Sequence, residues 1–389
     1  MKSVAESLEL IRRGSVHFIG EKELTEKLAS GKKLRVKLGV DPTSPDLHLG
    51  HSVALTKLRQ FQDLGHTIVL IIGDFTAMVG DPTGRSATRP QLTREEVLRN
   101  AETYKEQAFK VLDQEGVEVV HNSDWFGKMT YTEVLKLNAQ ATMQQMLQRE
   151  DFKNRIDQAQ EVRLHEIQYP LMQGWDSVMI QSDVEIGGSD QLFNILVGRD
   201  LQKSQGMSQQ AVLTMPLLEG LDGVKKMSKS YGNYIGLSEP ASEIFGKAMS
   251  ISDTLMARYY TLLLGETIPA DLHPMEAKKS LAARLTARFH DQDAAAAARE
   301  NWEARFSKKD MDAAELPEFT PTATNAVSVA SQAFKECFNL EKSNSQVKQL
   351  IQQGSIQLNG QKLTDPKADL ALNPGDVLKL DKTRSVRVK

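Results

Sequence analysis

The sequence predicts an α/β protein: a doubly wound parallel sheet, then a helical segment, then a small α+β tail. Three observations carry this expectation. Apolar runs alternate with amphipathic ones through the first half, as parallel strands joined by crossover helices do. From about residue 238 to 309 the pattern is helical throughout. The tail then reverses the charge. Residues 325–389 hold ten Lys and Arg against six Asp and Glu, a net of +4, while the rest carries 38 against 45, a net of −7.

Residues 34–40 read as a strand. Over 49–64, apolar Val53, Leu55, Leu58, Phe61 and Leu64 recur at helical spacing, and Gly65 stops the helix. Residues 67–72 form an unbroken apolar run, as expected of a strand buried on both faces. A helix over 93–113, a strand over 117–120, a long helical stretch over 131–147 and strands near 184–186 and 211–218 follow. The order is Rossmann-like and doubly wound, interrupted by an insertion around 124–165. The alanine run at 294–298 is a good helix former and needs no functional reading. Residues 311–326, with Pro317 and Pro321, read as a linker. The tail holds two short helices, turns at Asn359-Gly360 and Pro374-Gly375, and strands that end in Ser385-Val386-Arg387-Val388.

A chain of 389 residues has room for two or three cores, and the expected division is 1–230, 231–320 and 326–389. No stretch approaches the roughly 20 apolar residues that span a bilayer. The start mixes Lys2, Glu6, Glu9, Arg12 and Arg13 with leucines, unlike a secretory leader. The single cysteine, Cys337, excludes an internal disulfide framework and a Cys-based zinc cluster. It is expected to be an inert buried thiol in a reducing, cytoplasmic setting. An acidic body with a basic tail suggests that the tail meets a polyanion; a solvated basic surface is the plainer alternative.

Five strings carry candidate chemistry. From Gly39 through Asp41 to His51 a strand ends, a Pro-rich loop turns, and a helix begins with His48 and His51 on one face. There they would join unpaired backbone N–H groups and the positive helix end, which favour phosphate, and Gly50 would let a base or ribose approach. Two capping histidines are the alternative. Lys225-Lys226-Met227-Ser228-Lys229-Ser230 forms a cationic loop suited to neutralising a reacting triphosphate, or else an exposed basic loop. In Glu185-Ile186-Gly187-Gly188-Ser189-Asp190-Gln191-Leu192-Phe193-Asn194 the glycines would admit a ligand and Asp190 would accept a ribose hydroxyl; alternatively Ser189 and Asp190 simply cap the next helix. Gly80-Asp81-Pro82-Thr83-Gly84 is a tight turn or part of the site. Tyr169, Gln173 and Asp176 share a helix face suited to reading a hydroxyl and an amine.

Together and in this order, these strings resemble class I aminoacyl-tRNA synthetases of the bacterial tyrosyl branch. His48-Leu49-Gly50-His51 resembles the HIGH signature, and Lys226 to Ser230 reads KMSKS letter for letter. The glycine strings at 187–191 and 80–84 are similar to those of the tyrosyl branch, and the tryptophanyl sister branch lacks them in this form. The resemblance spans roughly 33–389, and the tail from Ser343 to Gly360 resembles the S-four RNA-binding domain.

The resemblance implies an enzyme that activates tyrosine with ATP, carried with Mg2+ and without a protein-bound metal site, and then loads tRNA(Tyr). It implies that His48 and His51 contact the triphosphate and that Lys226 and Lys229 hold the pyrophosphate, with Met227 beside the nucleotide. Gly39, Asp41, Gly50, Gly188 and Asp190 would line the adenosine site, and Gln191 would meet the tyrosine carboxylate. Thr76, Asp81, Tyr169 and Gln173 would receive the ammonium, Asp176 would accept from the phenol, and Asn122, in the string His121-Asn122-Ser123-Asp124-Trp125, would lie near the substrate. A homodimer through the insertion is also implied. In another branch a Tyr also binds the phenol at the position held here by Lys37; alternation puts Lys37, Gly39 and Asp41 on one face, with the ammonium able to pair with Asp176. The rivals are a synthetase for another aromatic amino acid, chiefly tryptophan, a catalytically silent RNA-binding paralogue, and a nucleotidyltransferase with the H-x-G-H fold.

Overall fold

The computed structural model describes residues 2–43, 46–82, 92–308, 316–381 and 384–389. The chain divides into two compact units, Met1–Ala296 and Ala297–Lys389. The first begins with α1 (Val4–Arg12), β1 (His17–Ile19), α2 (Glu21–Ala29), β2 (Arg35–Val40), α3 (Leu49–Asp63), β3 (Thr67–Ile72), α4 (Asp74–Val79), α5 (Arg94–Ala108) and β4 (Val117–His121). Next come α6 (Ser123–Phe126), α7 (Tyr131–Asn138), α8 (Met143–Met146), α9 (Glu150–Asp157), α10 (Leu164–Met179), β5 (Val184–Gly188), α11 (Leu192–Ser204) and β6 (Ala211–Met215). Helices α12 (Ala241–Ser250), α13 (Asp253–Tyr259), α14 (Pro274–Phe289) and α15 (Gln292–Trp302) complete it, the last running across the boundary.

The six strands lie in the order β1-β6-β5-β2-β3-β4. All pairs are parallel except β1 on β6, which closes one edge antiparallel. Strand β3 is buried from Ile68 to Ile72, as its apolar run predicts, because helices cover both faces of a parallel sheet. Each such side chain taken from water contributes about 1.5–3 kcal/mol. The chain winds outward in two directions from the seam between β2 and β5, and open α/β sheets hold ligands at the carboxyl ends of strands beside such a seam.

Two differences from the sequence expectation have local causes. The stretch 131–147 is two helices rather than one, because the Thr142 hydroxyl accepts the Gln145 N–H and starts α8 afresh. Strand β1 gives no periodic signal, being three residues on an edge. Among the described residues no helix is long and apolar enough to cross a membrane.

The second unit holds β7 (Glu318–Phe319), α16 (Ala326–Phe338), α17 (Asn344–Gln352), β8 (Gln357–Leu358), β9 (Gln361–Lys362), β10 (Val377–Lys379) and β11 (Ser385–Val388), in the sheet order β7-β11-β10-β8-β9. Asn359 and Gly360, at φ 49° and 82°, make the tight β8–β9 turn their side chains favour. Strand β7 falls within the expected linker; Phe319 is a core residue with Val329, Phe334, Val347, Ile351, Leu378 and Val386. The linker's residues 311–315 lie outside the described residues. Cys337 is half-buried rather than buried, and burial pushes its thiol up.

Candidate active site

A cleft of about 900 Å³ opens at the carboxyl ends of β2 and β5. A second cavity of about 240 Å³ shares Gly39, His51, Asp81, Gly187 and Gln191 with it. Gly39 faces open space, so an added Cβ would project where a ligand can come close.

His48 caps α3. The Gly50 N–H donates to His48 Nδ1 and the His48 N–H to His51 Nδ1, each at 3.2 Å, with the ring centroids 4.0 Å apart. Burial, then the neighbouring His51 and Lys229 charges, push His48 down to about 2; burial dominates in pushing His51 to about 4. Both rings are therefore neutral at pH 7. Because each Nδ1 accepts, the ring hydrogen sits on Nε2, leaving two N–H donors. The expected unpaired amides are corrected. Leu49 N–H donates to the Ile235 carbonyl and His51 N–H to that of His48, both at 2.9 Å, so the rings rather than the backbone remain to meet a phosphate. Capping and function are thus compatible in the same residues.

The lysine loop is pinned beside this turn. His48 and Gly236 form an antiparallel bridge, and Leu237 N–H donates to the Leu47 carbonyl at 3.0 Å. Asn233 braces the loop, accepting the Ser228 N–H at 2.9 Å and donating to Asp222 at 3.0 Å. Lys229 pairs with Asp46 at 2.8 Å and Lys226 with Asp190 at 3.3 Å. Two cations from one loop thus stand in the wall that holds the histidines. Ser189 and Asp190 do not cap α11: they form a single 3-10 turn, and Gln191 precedes the helix without a side-chain cap.

The smaller cavity is organised by a connected set of hydrogen bonds. Asp41 accepts from Thr76 Oγ1 and from the Tyr169 hydroxyl, both at 2.8 Å. Asn122 Nδ2 donates to Thr76 at 3.0 Å and to Asp176 Oδ2 at 3.4 Å, and Trp125 Nε1 donates to Asp176 Oδ1 at 3.0 Å. Gly73 is required here, since a Cβ would run into Asp41 Oδ1 and Thr76 Oγ1. Burial pushes Asp176 up to about 7, opposed first by the Lys37 charge and then by the Trp125 and Asn122 hydrogen bonds. Asn194 donates to the side-chain carbonyls of Gln173 at 2.9 Å and Gln191 at 3.2 Å. Their amide nitrogens are thereby aimed at Glu185, 3.3 Å away, and Asp81, 3.0 Å away.

Most of the residues singled out from the sequence lie in or against these spaces, while Lys37, Gly80, Ser189 and Lys225 line neither. His48, Gly50, Gly188, Asp190, Lys226, Met227 and Lys229 line the cleft; Asp41, Thr76, Tyr169, Gln173 and Asp176 line the cavity; Gly39, His51, Asp81 and Gln191 line both. Asn122 lines neither and works from behind. Lys37 requires a correction: its ammonium pairs with Glu185 at 2.9 Å rather than with Asp176, because the β2–β5 register sets those two residues side by side. Thr83 and Gly84 of the 80–84 string, and Ser44 and Pro45 of the first string, lie outside the described residues.

Comparison with known proteins gives the family. The family of class I tRNA synthetases (W and Y) matches residues 29–307, and the S4 domain matches 339–378. The tyrosine–tRNA ligase of Geobacter sulfurreducens is 50% identical, covering 99% of each chain, and that of Francisella tularensis is 46% identical, covering 100% of this chain and 99% of its own. This chain belongs to the tyrosine–tRNA ligase family. A truncated mitochondrial tyrosyl-tRNA synthetase from Aspergillus nidulans superposes with a TM-score of 0.65 at 25% identity, over 79% of this chain and 95% of its own. The synthetase from Archaeoglobus fulgidus, at 24% identity and a TM-score of 0.60 over 75% and 99%, shares the fold. The class I catalytic fold with a C-terminal S4 domain is therefore this ligase's architecture.

Sequence reasoning missed four residues of this tyrosine–tRNA ligase: Asp46, Trp125, Glu185 and Asn194. All four lie inside strings already noted, but none was given a role there. Glu185 was legible by alternation, two residues before Gly187 on the same strand face. Asn194 follows Gln191 by one helical turn.

Proposed function

We infer that this ligase activates L-tyrosine with magnesium-ATP and then transfers it to the terminal adenosine of tRNA(Tyr). The tyrosine carboxylate attacks the α-phosphorus in line, forming tyrosyl-adenylate and breaking the bond to pyrophosphate. The adenosine hydroxyl of the tRNA then attacks the activated carbonyl and AMP departs. The first step needs no general base, because the carboxylate is ionised at pH 7. Catalysis comes from positioning and from charge stabilisation.

In this reading His48 and His51 donate to the triphosphate, and Lys226 and Lys229 leave Asp190 and Asp46 to hold the departing pyrophosphate. Gly39, Gly50, Gly188, Asp190 and Met227 bound the nucleotide, and Asp41, which lines the smaller cavity, joins the tyrosine site. Thr76, Asp81, Tyr169 and Gln173 receive the ammonium, Gln191 meets the carboxylate, and Asp176 accepts from the phenol, with Asn122 fixing it. The observation that carries the reading is the shared wall: an amino acid in the smaller cavity with its carboxylate at Gln191 faces the cleft where both signature strings converge. Pyrophosphate exchange with all twenty amino acids, followed by charging of bulk tRNA, tests it; exchange driven by tryptophan instead would overturn it.

The domain roles follow: catalysis in 1–230, a helical domain over 231–320, and RNA contact by 326–389, in a cytoplasmic enzyme. A homodimer forms through the insertion at 124–165, a reading supported by its exposed apolar side chains Tyr131, Leu135, Met143 and Leu164. Replacing Leu135 and Leu164 with Glu should yield a monomer by sedimentation.

A further inference from the structure

Lys37 and Glu185 face each other across the β2–β5 seam, their side chains 0% and 1% exposed. A buried charge is tolerated only when its polar atoms are used, and here they are. The ammonium's three donors go to Glu185 Oε1 at 2.9 Å, the Gln173 carbonyl at 2.8 Å and Ser177 Oγ at 2.7 Å. Glu185 also accepts from Gln173 Nε2 on one oxygen, and from Ser177 and Gln210 on the other. Apolar side chains of similar volume would stabilise such a seam as well as an ion pair does, so stability alone does not account for these two charges.

Their neighbours do. Gln173 is gripped twice, through its backbone carbonyl by Lys37 and through its side-chain amide nitrogen by Glu185. Asp176 is one helical turn on, and Lys37 is the strongest influence opposing the burial that pushes its carboxyl up; Glu185 acts in the opposite direction. The groups facing Asp176 are Lys37 from β2, Glu185 from β5, the neutral Asn122 and Trp125, and Tyr169 on its own helix, with Asp41 and Asp81 beside Tyr169.

We propose that Lys37 and Glu185 are specificity-determining positioning residues: the buried pair grips Gln173 and Ser177 on α10 and so sets the hydroxyl-reading Asp176 that lies between them. This rests on the smaller cavity being the tyrosine site. A charged Asp176 binds a phenol strongly and is left unpaired by phenylalanine; a neutral one discriminates less.

The test is amino-acid-dependent pyrophosphate exchange from pH 6 to 9 with tyrosine and phenylalanine. Glu185→Gln removes the repulsive charge and keeps the shape, so the half-point of the tyrosine KM profile moves to lower pH. Lys37→Met/Glu185→Gln removes both charges, and the stronger lysine influence makes the half-point move up. The KM for tyrosine at pH 7 then rises about fivefold, as a half-point displaced upward from about 7 by roughly one pH unit requires, while phenylalanine kcat/KM does not fall. A purely structural pair predicts lower affinity in both variants with no movement of the half-point in opposite directions, and that result overturns the proposal. Should Glu185→Gln fail to fold with Lys37 left unpaired, the direction seen with the double variant decides alone. Asp176→Asn distinguishes the underlying reading: if it leaves the tyrosine/phenylalanine ratio unchanged, the cavity is not the tyrosine site.

Discussion

The cleft and the smaller cavity share a wall, yet their polar groups are held in different ways. In the cleft, the working cations sit on a loop and pair with accessible carboxylates: the Lys229 and Asp46 side chains are 26% and 51% exposed. Such pairs contribute about 0–1 kcal/mol, so a polyphosphate can displace Asp46 at little cost. In the cavity, Asp41 and Asp176 each accept from two side-chain donors within the fold. There the arrangement exists before any ligand arrives. On the proposed reading, one region exchanges partners during the reaction, and the other fixes in advance which amino acid enters.

The sharpest way to break this division is Lys229→Ala. Adenylate formation should slow about 100- to 1000-fold, as loss of one charge-stabilising donor does, while tyrosine binding measured at equilibrium stays unchanged. His48→Ala should behave alike; equal losses in rate and affinity would mean that the regions are not separate. Next in size, Asp176→Ala should lower the tyrosine/phenylalanine ratio of kcat/KM about 100-fold, the worth of a charge-assisted hydrogen bond.

A pH series sharpens the comparison. Asp176 protonates as the pH falls through about 7, so the KM for tyrosine should rise about tenfold per unit below that point. His48 and His51 are held neutral, at about 2 and about 4. The rate at saturating tyrosine should therefore show no histidine limb from roughly pH 5 to 8. The smallest effect concerns stability. A carboxyl raised above its unfolded value penalises the ionised fold above the folded value, and the penalty vanishes below the unfolded one, about 4. Asp176→Asn should raise Tm by about 2–4 °C at pH 8, with the gain shrinking toward pH 4.

What the sequence made legible follows the same division. The cleft was readable because its groups come in contiguous strings, His48 to His51 and Lys226 to Ser230, where spacing alone conveys geometry. In the cavity the face of α10 was readable from the Tyr169, Gln173 and Asp176 spacing, and Asn122 from its string. Lys37 was misplaced because its partner depends on strand register: Glu185 is neighbour to Lys37 only once β2 and β5 pair. Strand β1 and the break between α7 and α8 escaped for want of length, since three residues or one threonine cap carry no period.

The short ladder between residues 47–49 and 235–237 has a consequence for assembly. Asp46 and Lys229 stand 183 residues apart along the chain, and most of the smaller cavity, from Thr76 to Gln191, lies between them. Closing so large a loop costs entropy that grows only slowly with its length, but contacts of such separation form late. The smaller cavity is closed by contacts almost as distant, Tyr169 to Asp41 across 128 residues, so it too is knit together late. The nucleotide cleft comes into being only when that neck shuts.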